Sequence, residues 1–302
     1  MIKMTTKPIS KPKLDEVYGF AIQLGKDAGK LLLDAAQARI GGNDSSGQDF
    51  CEKDSAVDIV TKTDEAVETF IRRRITQTHP THAFVGEESY SKGSSRAYLI
   101  DDATPTWCVD PLDGTVNYTH LFPMFCVSIA FVVGGKPVIG VICGPFLNQL
   151  STACRGRGAW LNETLPLPLA RNPIPPMPPN APSRCIFSCE WGKDRKDTPG
   201  GNLHRKVDSF LNMAAEIGGR GGKGSMVHGV RSLGSATMDL AYTAMGAFDI
   251  WEGGCWEWDV AAGIAILQEA GGLITTANPP EDPPSARIED AKLGSRLYLA
   301  VW

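Results

Sequence analysis

Hydrophobic positions recur at two periods along this chain, and each stretch of constant period predicts one element. Residues 14–40 carry Val17, Ala21, Leu24, Ala28, Leu31, Leu32 and Ala35 at helical spacing, and Gly41-Gly42 closes the pattern. Residues 43–55 are polar and turn-rich, which predicts a mobile loop. Residues 57–63 alternate as a strand does. Thr63 or Asp64 then caps a helix through Ile75, with Val67, Phe70, Ile71 and Ile75 turned inward. Residues 83–89 read as a strand running into two acids, and 91–104 as loop with a short strand at 98–100. Two long apolar runs, 125–133 and 138–144, flank Gly134-Gly135-Lys136-Pro137, a strong hairpin signal. Residues 149–154 and 158–161 continue that antiparallel sheet.

The proline-dense stretch 166–182 predicts an exposed connector between two halves, 1–165 and 183–302, of one compact catalytic unit. Beyond it come a strand at 185–189, an amphipathic helix at 202–217 and a glycine-rich loop at 218–224. In that loop Lys223 is followed by Gly224, where a phosphate loop requires Ser or Thr, so it reads as a flexible connector. Ser235 caps a helix through Met245, and a strand over 247–252 ends on Glu252. Trp258-Asp259 opens a helix over 260–270 that Gly271-Gly272 closes. A second Pro-rich loop, 277–290, leads to a final strand at 296–302. Strands and helices alternate in both halves, with hairpins in the first, which predicts a layered α/β (α+β) sandwich.

Composition narrows the function classes. The 302 residues are 42% hydrophobic and 21% charged, as expected of an ordinary globular protein. A net charge of -4 offers no basic footprint for nucleic acid or an anionic membrane, whereas a small phosphorylated substrate stays open, because a bound cation reverses an acidic site's local field. The longest apolar run, 125–133, is too short to cross a bilayer, and residues 1–13 lack the apolar centre of a signal peptide. The eight cysteines include no CxxC pair, so they read as buried thiols in a reducing compartment, the cytoplasm. The five histidines show no paired metal spacing.

Candidate chemistry gathers on acids. In WCVDPLDGT (107–115) an apolar lead-in ends at Asp110, Pro111 stops ladder pairing, and Asp113 returns beside Asp110. Two carboxylates forced together repel unless a cation lies between them. With no clustered His or Cys, the donors are all oxygen, which selects Mg²⁺ or Mn²⁺ over zinc. Asp64, Glu87, Glu88, Glu252 and Asp259 also stand at strand or helix ends. Taken singly, each equally fits a helix cap or a solvated loop.

Read together, VDIVTKTD (57–64), VGEES (85–89), WCVDPLDGTVNYTH (107–120), RSLGSA (231–236) and WDVAAG (258–263) resemble the signature segments of the inositol monophosphatase family, in order and spacing across most of the chain. The segment WEGGCWEWD (251–259) is similar to fungal members, including a branch associated with quinate utilisation. The resemblance implies an αβαβα sandwich of the inositol monophosphatase and fructose-1,6-bisphosphatase type. It implies two or three Mg²⁺ per site, with Mn²⁺ as a substitute, held by Glu87, Asp110, the Leu112 carbonyl, Asp113 and Asp259. Thr115 and Asp64, with Glu87, match the residues that activate water. Gly114 and Thr115 match phosphate-contacting amides, and Ser235, Ala236, Glu252 and Asp259 match positions facing the substrate. The implied activity is hydrolysis of myo-inositol 1-phosphate or a similar small polyol phosphate by a lithium-sensitive homodimer, with no nucleic-acid or membrane partner. The alternatives are the same chemistry on histidinol phosphate, a sugar bisphosphate or a nucleotide 3′-phosphate, or a non-catalytic metabolite sensor of the quinate pathway.

Overall fold

The computed structural model describes residues 10–40, 50–55, 58–91, 100–170, 177, 179–278, 281–282, 285 and 287–302. The expected strand positions 98–99, loop residues 43–49 and connector residues 171–176 and 178 lie outside the described residues. Helices α1 (Lys11–Arg39) and α2 (Lys62–Thr78) pack together because each carries one apolar stripe. Val17, Ala21, Leu24, Ala28, Leu32 and Ala36 form the first stripe, and Val67, Ile71 and Ile75 the second. Leu31 is turned to solvent, and Ala36 takes the inward position instead. The cap of α2 is Thr61 rather than Thr63 or Asp64. Asp64 is the third helical residue and completes a capping box by accepting the Thr61 N–H at 2.9 Å. The expectation of a loop through Ser55 is corrected: β1 (Phe50–Ser55) pairs antiparallel with β2 (Asp58–Thr61), so tertiary pairing overrides a polar sequence.

The larger sheet has seven strands, adjacent in chain order: β3 (Ala83–Gly86), β4 (Thr106–Asp113), β5 (Cys126–Val133), β6 (Lys136–Gly144), β7 (Gln149–Cys154), β8 (Ala159–Leu161) and β9 (Leu165–Pro166). Short helices α3 (Glu87–Ser91) and α4 (Thr115–Thr119) follow β3 and β4. Both β4 and β5 are buried on both faces, as central strands covered by helices must be. Gly134 and Gly135, at φ 60° and 70°, make the expected hairpin turn. Pairing does not stop at Pro111. Strand β4 continues to Asp113, with Asp110 opposite Ser128 and Asp113 opposite Cys126. Three residue steps face two there, so Pro111 lies in a bulge where the ladder needs no N–H. The connector expected from residue 166 begins later, since Pro166 closes the sheet edge and Leu167 is buried.

The smaller sheet runs β11-β10-β12-β14-β13, from β10 (Ile186–Cys189), β11 (Gly229–Arg231), β12 (Ile250–Gly254), β13 (Leu273–Thr276) and β14 (Leu297–Val301). Helix α5 (Asn202–Ala214) packs on β10 and β11. The glycine run is not a slack connector: it forms the turn α6 (Gly219–Gly222), where the Gly224 N–H reaches the Gly219 carbonyl at 2.9 Å and Arg220 pairs with Asp208 at 2.8 Å. Helices α7 (Ala236–Ala244) and α8 (Glu257–Ala270) occupy the interior. Every residue of α8 from Val260 to Leu267 is buried, so the helix is apolar all round and needs cover on all sides. One cluster joins α7 and α8 to both sheets, through Cys126, Ala130 and Ile142 of the larger and Trp251, Ile274 and Tyr298 of the smaller. A second cluster joins α1 and α2 to the opposite face of the larger sheet. The layers are therefore α1/α2, larger sheet, α7/α8, smaller sheet and α5, the αβαβα order expected. No helix among the described residues is long and apolar enough to cross a membrane.

Candidate active site

Three local devices bring the acids together. Parallel pairing of β3 with β4 sets Gly86 opposite Val109, so Glu87, the first residue of α3, emerges beside Asp110. The bulge in β4 turns the chain so that Asp110 Oδ1 accepts the Leu112 N–H at 2.9 Å while Asp113 follows at once. Helix α8 packs across β4 and β5 with Asp259 in its first turn, where Oδ2 accepts the Trp256 N–H at 2.7 Å. Oxygens of Asp110, Asp113 and Asp259 consequently lie within 4.8 Å of one another. Glu87 stands beside this trio, 3.8 Å from the Lys193 ammonium.

Burial sets the electrostatics. It raises Asp110 well above the carboxylate range, and Glu87, Asp113 and Asp259 add repulsion. Asp259 is pushed up to about 8 by burial, then by Asp113 and Glu87. Asp113 is also raised by burial, although two hydrogen bonds hold its charge: Ser235 Oγ donates to Oδ2 at 2.6 Å and the Thr237 N–H at 2.8 Å. Ser235 caps α7 as expected, accepting the Met238 N–H at 3.2 Å, and Ala236 begins the helix. Three desolvated carboxylates at this separation, with no nitrogen or sulfur donor in the trio, fit a hard divalent cation of the Mg²⁺ kind.

Next to the trio lies a hydroxyl relay. Thr115 Oγ1 reaches Asp64 Oδ1 at 3.2 Å and the Leu112 carbonyl at 3.1 Å. Thr61 fixes Asp64 from behind, its N–H and hydroxyl both donating to Oδ2. Burial pushes Asp64 up to about 6, against those hydrogen bonds, so it is mainly ionised at neutral pH. Gly114 holds φ 86°, and a Cβ there would come within 2.6 Å of the Met124 carbonyl, so only glycine carries the chain from Asp113 into α4.

Glu252 is the middle residue of β12, opposite Cys189 of β10, and the strand does not end on it as expected but runs on to Gly254, paired with β14. Glu252 is ion-paired: the Lys206 ammonium, on α5, is 2.8 Å from Oε1 and nearly buried. The sequence reading did not single out Lys206, Lys193, Thr61, Thr237 or Glu190. Glu190 accepts the Leu233 and Gly234 N–H groups at 2.6 and 2.9 Å, fixing the loop before Ser235. A signal for it existed, since Glu190 directly follows the apolar strand β10. Lys206 gave none, because one lysine on a helix face reads as solvated.

The sequence profile of the inositol monophosphatase family matches residues 13–298. "Quinic acid degradation cluster protein x" of Neurospora crassa is 70% identical over 99% of this chain and 89% of its own length. "Inositol monophosphatase 2" of Saccharomyces cerevisiae is 35% identical over 92% of this chain and 89% of its own. The solved structure of an inositol monophosphatase from Anabaena (Nostoc) superposes with a TM-score of 0.70 at 26% identity, covering 96% of this chain and 91% of that one.

Proposed function

The chain belongs to the inositol monophosphatase family, and from that premise we propose that it is a Mg²⁺-dependent phosphomonoesterase hydrolysing myo-inositol 1-phosphate or a similar small polyol phosphate. The observation that carries the reading is the convergence of Asp110, Asp113 and Asp259 within 4.8 Å beside the Thr115–Asp64 relay. Glu87, Asp110, the Leu112 carbonyl, Asp113 and Asp259 are the groups that would hold divalent cations, which when bound neutralise phosphate charge, lower the pKa of water and stabilise a leaving alkoxide.

The remaining steps belong to side chains and backbone. Thr115 commits its proton to Asp64 or to the Leu112 carbonyl, so its oxygen offers a lone pair that orients an attacking water. Asp64, held by Thr61, keeps that hydroxyl in one rotamer and takes up proton density as attack proceeds. The Gly114 and Thr115 N–H groups hold phosphoryl oxygens while charge moves along the in-line axis. Ser235 and Thr237 favour the charged form of Asp113 against the effect of burial and aim its carboxylate. Ser235, Ala236, Glu252 and Asp259 face the alcohol portion of the ester.

Phosphate release from myo-inositol 1-phosphate with and without Mg²⁺ tests the proposal. Asp110→Asn keeps the volume, removes one charge from the trio, and is expected to abolish release while the protein stays folded. Near-normal turnover by that variant would refute the site. A second reading, the same chemistry on another ester used in quinate breakdown, is favoured by the name of the 70%-identical relative.

A further inference from the structure

Glu87 opens α3, and five residues are too few for a helix to hold its own geometry. Its direction must therefore be set from outside. On the N-terminal side β3 fixes it, since Gly86 pairs opposite Val109. On the C-terminal side the hold comes from Glu68 of α2, a carboxylate only 4% exposed. Glu68 Oε2 accepts the Glu88 N–H at 2.8 Å, and Oε1 accepts the Ser89 N–H at 2.8 Å together with the Ser89 hydroxyl. A Cβ on Gly86 would collide with the same Oε2, so the Glu68 carboxylate lies flush against the backbone on both sides of Glu87. Hydrogen bonds to a charged acceptor are about twice as strong as neutral ones, which makes three on one buried carboxylate a firm clasp.

The clasp ties Glu87 to the helix that carries the relay. Asp64 and Glu68 stand one turn apart on α2, and both are buried. Asp64 meets the Thr115 hydroxyl, while Glu68 grips the α3 backbone. One rigid helix thus sets the spacing between the hydroxyl relay and Glu87. Both Glu68 oxygens are spent on residues 88 and 89, so Glu68 acts through its neighbour rather than on a ligand. Resting on the phosphatase reading above, we propose that Glu68 is a positioning residue for that reaction: by clamping residues 88 and 89 it holds Glu87 in its cation-binding orientation and in register with Thr115 and Asp64.

Glu68→Gln tests this, because it keeps the shape but turns an amide NH₂ toward a backbone N–H. Titrating Mg²⁺ against the thermal melt is expected to reach half effect at about tenfold higher concentration, the scale of losing a support behind a metal ligand. The Mg²⁺ dependence of phosphate release from myo-inositol 1-phosphate should shift by the same factor, with KM for the ester little changed. Ser89→Ala, at an exposed position, removes only the hydroxyl arm and should shift both readings the same way by about threefold, the worth of one modest hydrogen bond. Ile71→Val trims the buried side of the same helix, and should lower the melt while leaving the Mg²⁺ dependence in place. A lowered melt with unmoved Mg²⁺ dependence in Glu68→Gln and Ser89→Ala would make Glu68 structural only and overturn the inference. An equal shift in Ile71→Val would overturn it too, by tracing the effect to general loosening. Should Glu68→Gln fail to fold, Ser89→Ala decides alone. A Mg²⁺-dependent wild type with unmoved variants leaves the phosphatase reading standing, whereas a wild type with neither Mg²⁺-dependent release nor a Mg²⁺ effect on its melt brings down both.

Discussion

Ser235→Ala separates the metal-supporting role of α7 from its role in stability. The Ser235 hydroxyl does two things at once: it accepts the Met238 N–H as the α7 cap, and it donates to Asp113 Oδ2 at 2.6 Å. Removing the cap costs about 1 kcal/mol, which lowers the melting temperature by about 2 °C in a chain this long. Removing the donor leaves Oδ2 with the Thr237 N–H alone. Deleting such a support for a metal-ligating carboxylate typically costs about 10–100-fold in metal affinity, or about 1.4–2.7 kcal/mol. The half-saturating Mg²⁺ concentration for phosphate release should therefore rise by that factor, with kcat at saturating Mg²⁺ little changed. Titrating Mg²⁺ against the thermal melt reads the same shift without turnover, and Ser235→Thr should restore both. A melt that falls while the Mg²⁺ dependence stays put would make Ser235 only a cap. A raised KM with unaltered Mg²⁺ dependence would leave Ser235 its substrate-facing role alone, with no hold on the metal ligand, and would refute the argument equally.

Two further outcomes follow from packing and charge. A Cβ on Gly263 would meet Leu240 Cβ at 2.6 Å, so Gly263→Ala should force α7 and α8 apart and cost about 1–3 kcal/mol, visible as a lower denaturation midpoint. Burial, and then the neighbouring His79 on which it stacks, lowers His82 from 6.5 to about 4, while its ring also meets Phe131 at a tilt and accepts the Trp107 indole N–H at 3.1 Å. A histidine whose folded pKa is depressed contributes stability that is complete above about 6.5 and is lost as pH falls through about 4. The full shift would be worth about 3 kcal/mol, discounted to about 1–2 because the ring is partly solvated. The raised site carboxylates act in the opposite sense, so the readout is the difference between wild type and His82→Gln, without metal, from pH 7 to 4.5. Parallel stability curves for the two proteins would rule the histidine out.

The layers and the Asp110–Asp113 pair were legible in sequence because each rests on a local pattern that the tertiary structure leaves in place, whereas Asp259 was joined to that pair only by the family resemblance. Helical stripes mark α1 and α2, a glycine pair marks the β5–β6 turn, and Asp110 and Asp113 share one segment with Gly114 between them and Thr115. Misreadings arose where distant partners override local cues. Pro111 signals an end to pairing, yet the bulge opposite Ser128 and Cys126 absorbs it. Residues 50–55 look like loop until β2 supplies a partner. Strand β13 escaped notice because four residues after a glycine pair carry little periodicity. The Lys206–Glu252 pair spans 46 residues, and no pattern within a helix can announce a partner on another strand.

Helix α8 is both the spacer between the two sheets and the carrier of Asp259. The reach of that carboxylate toward Asp110 is therefore slaved to how the layers ride over one another. A slip of one helical turn, about 5.4 Å, exceeds the whole 4.8 Å span of the trio. An ion seated there would thus act as a rivet through the stack, and loosening anywhere along α8 would be felt first as a weakened grip on metal.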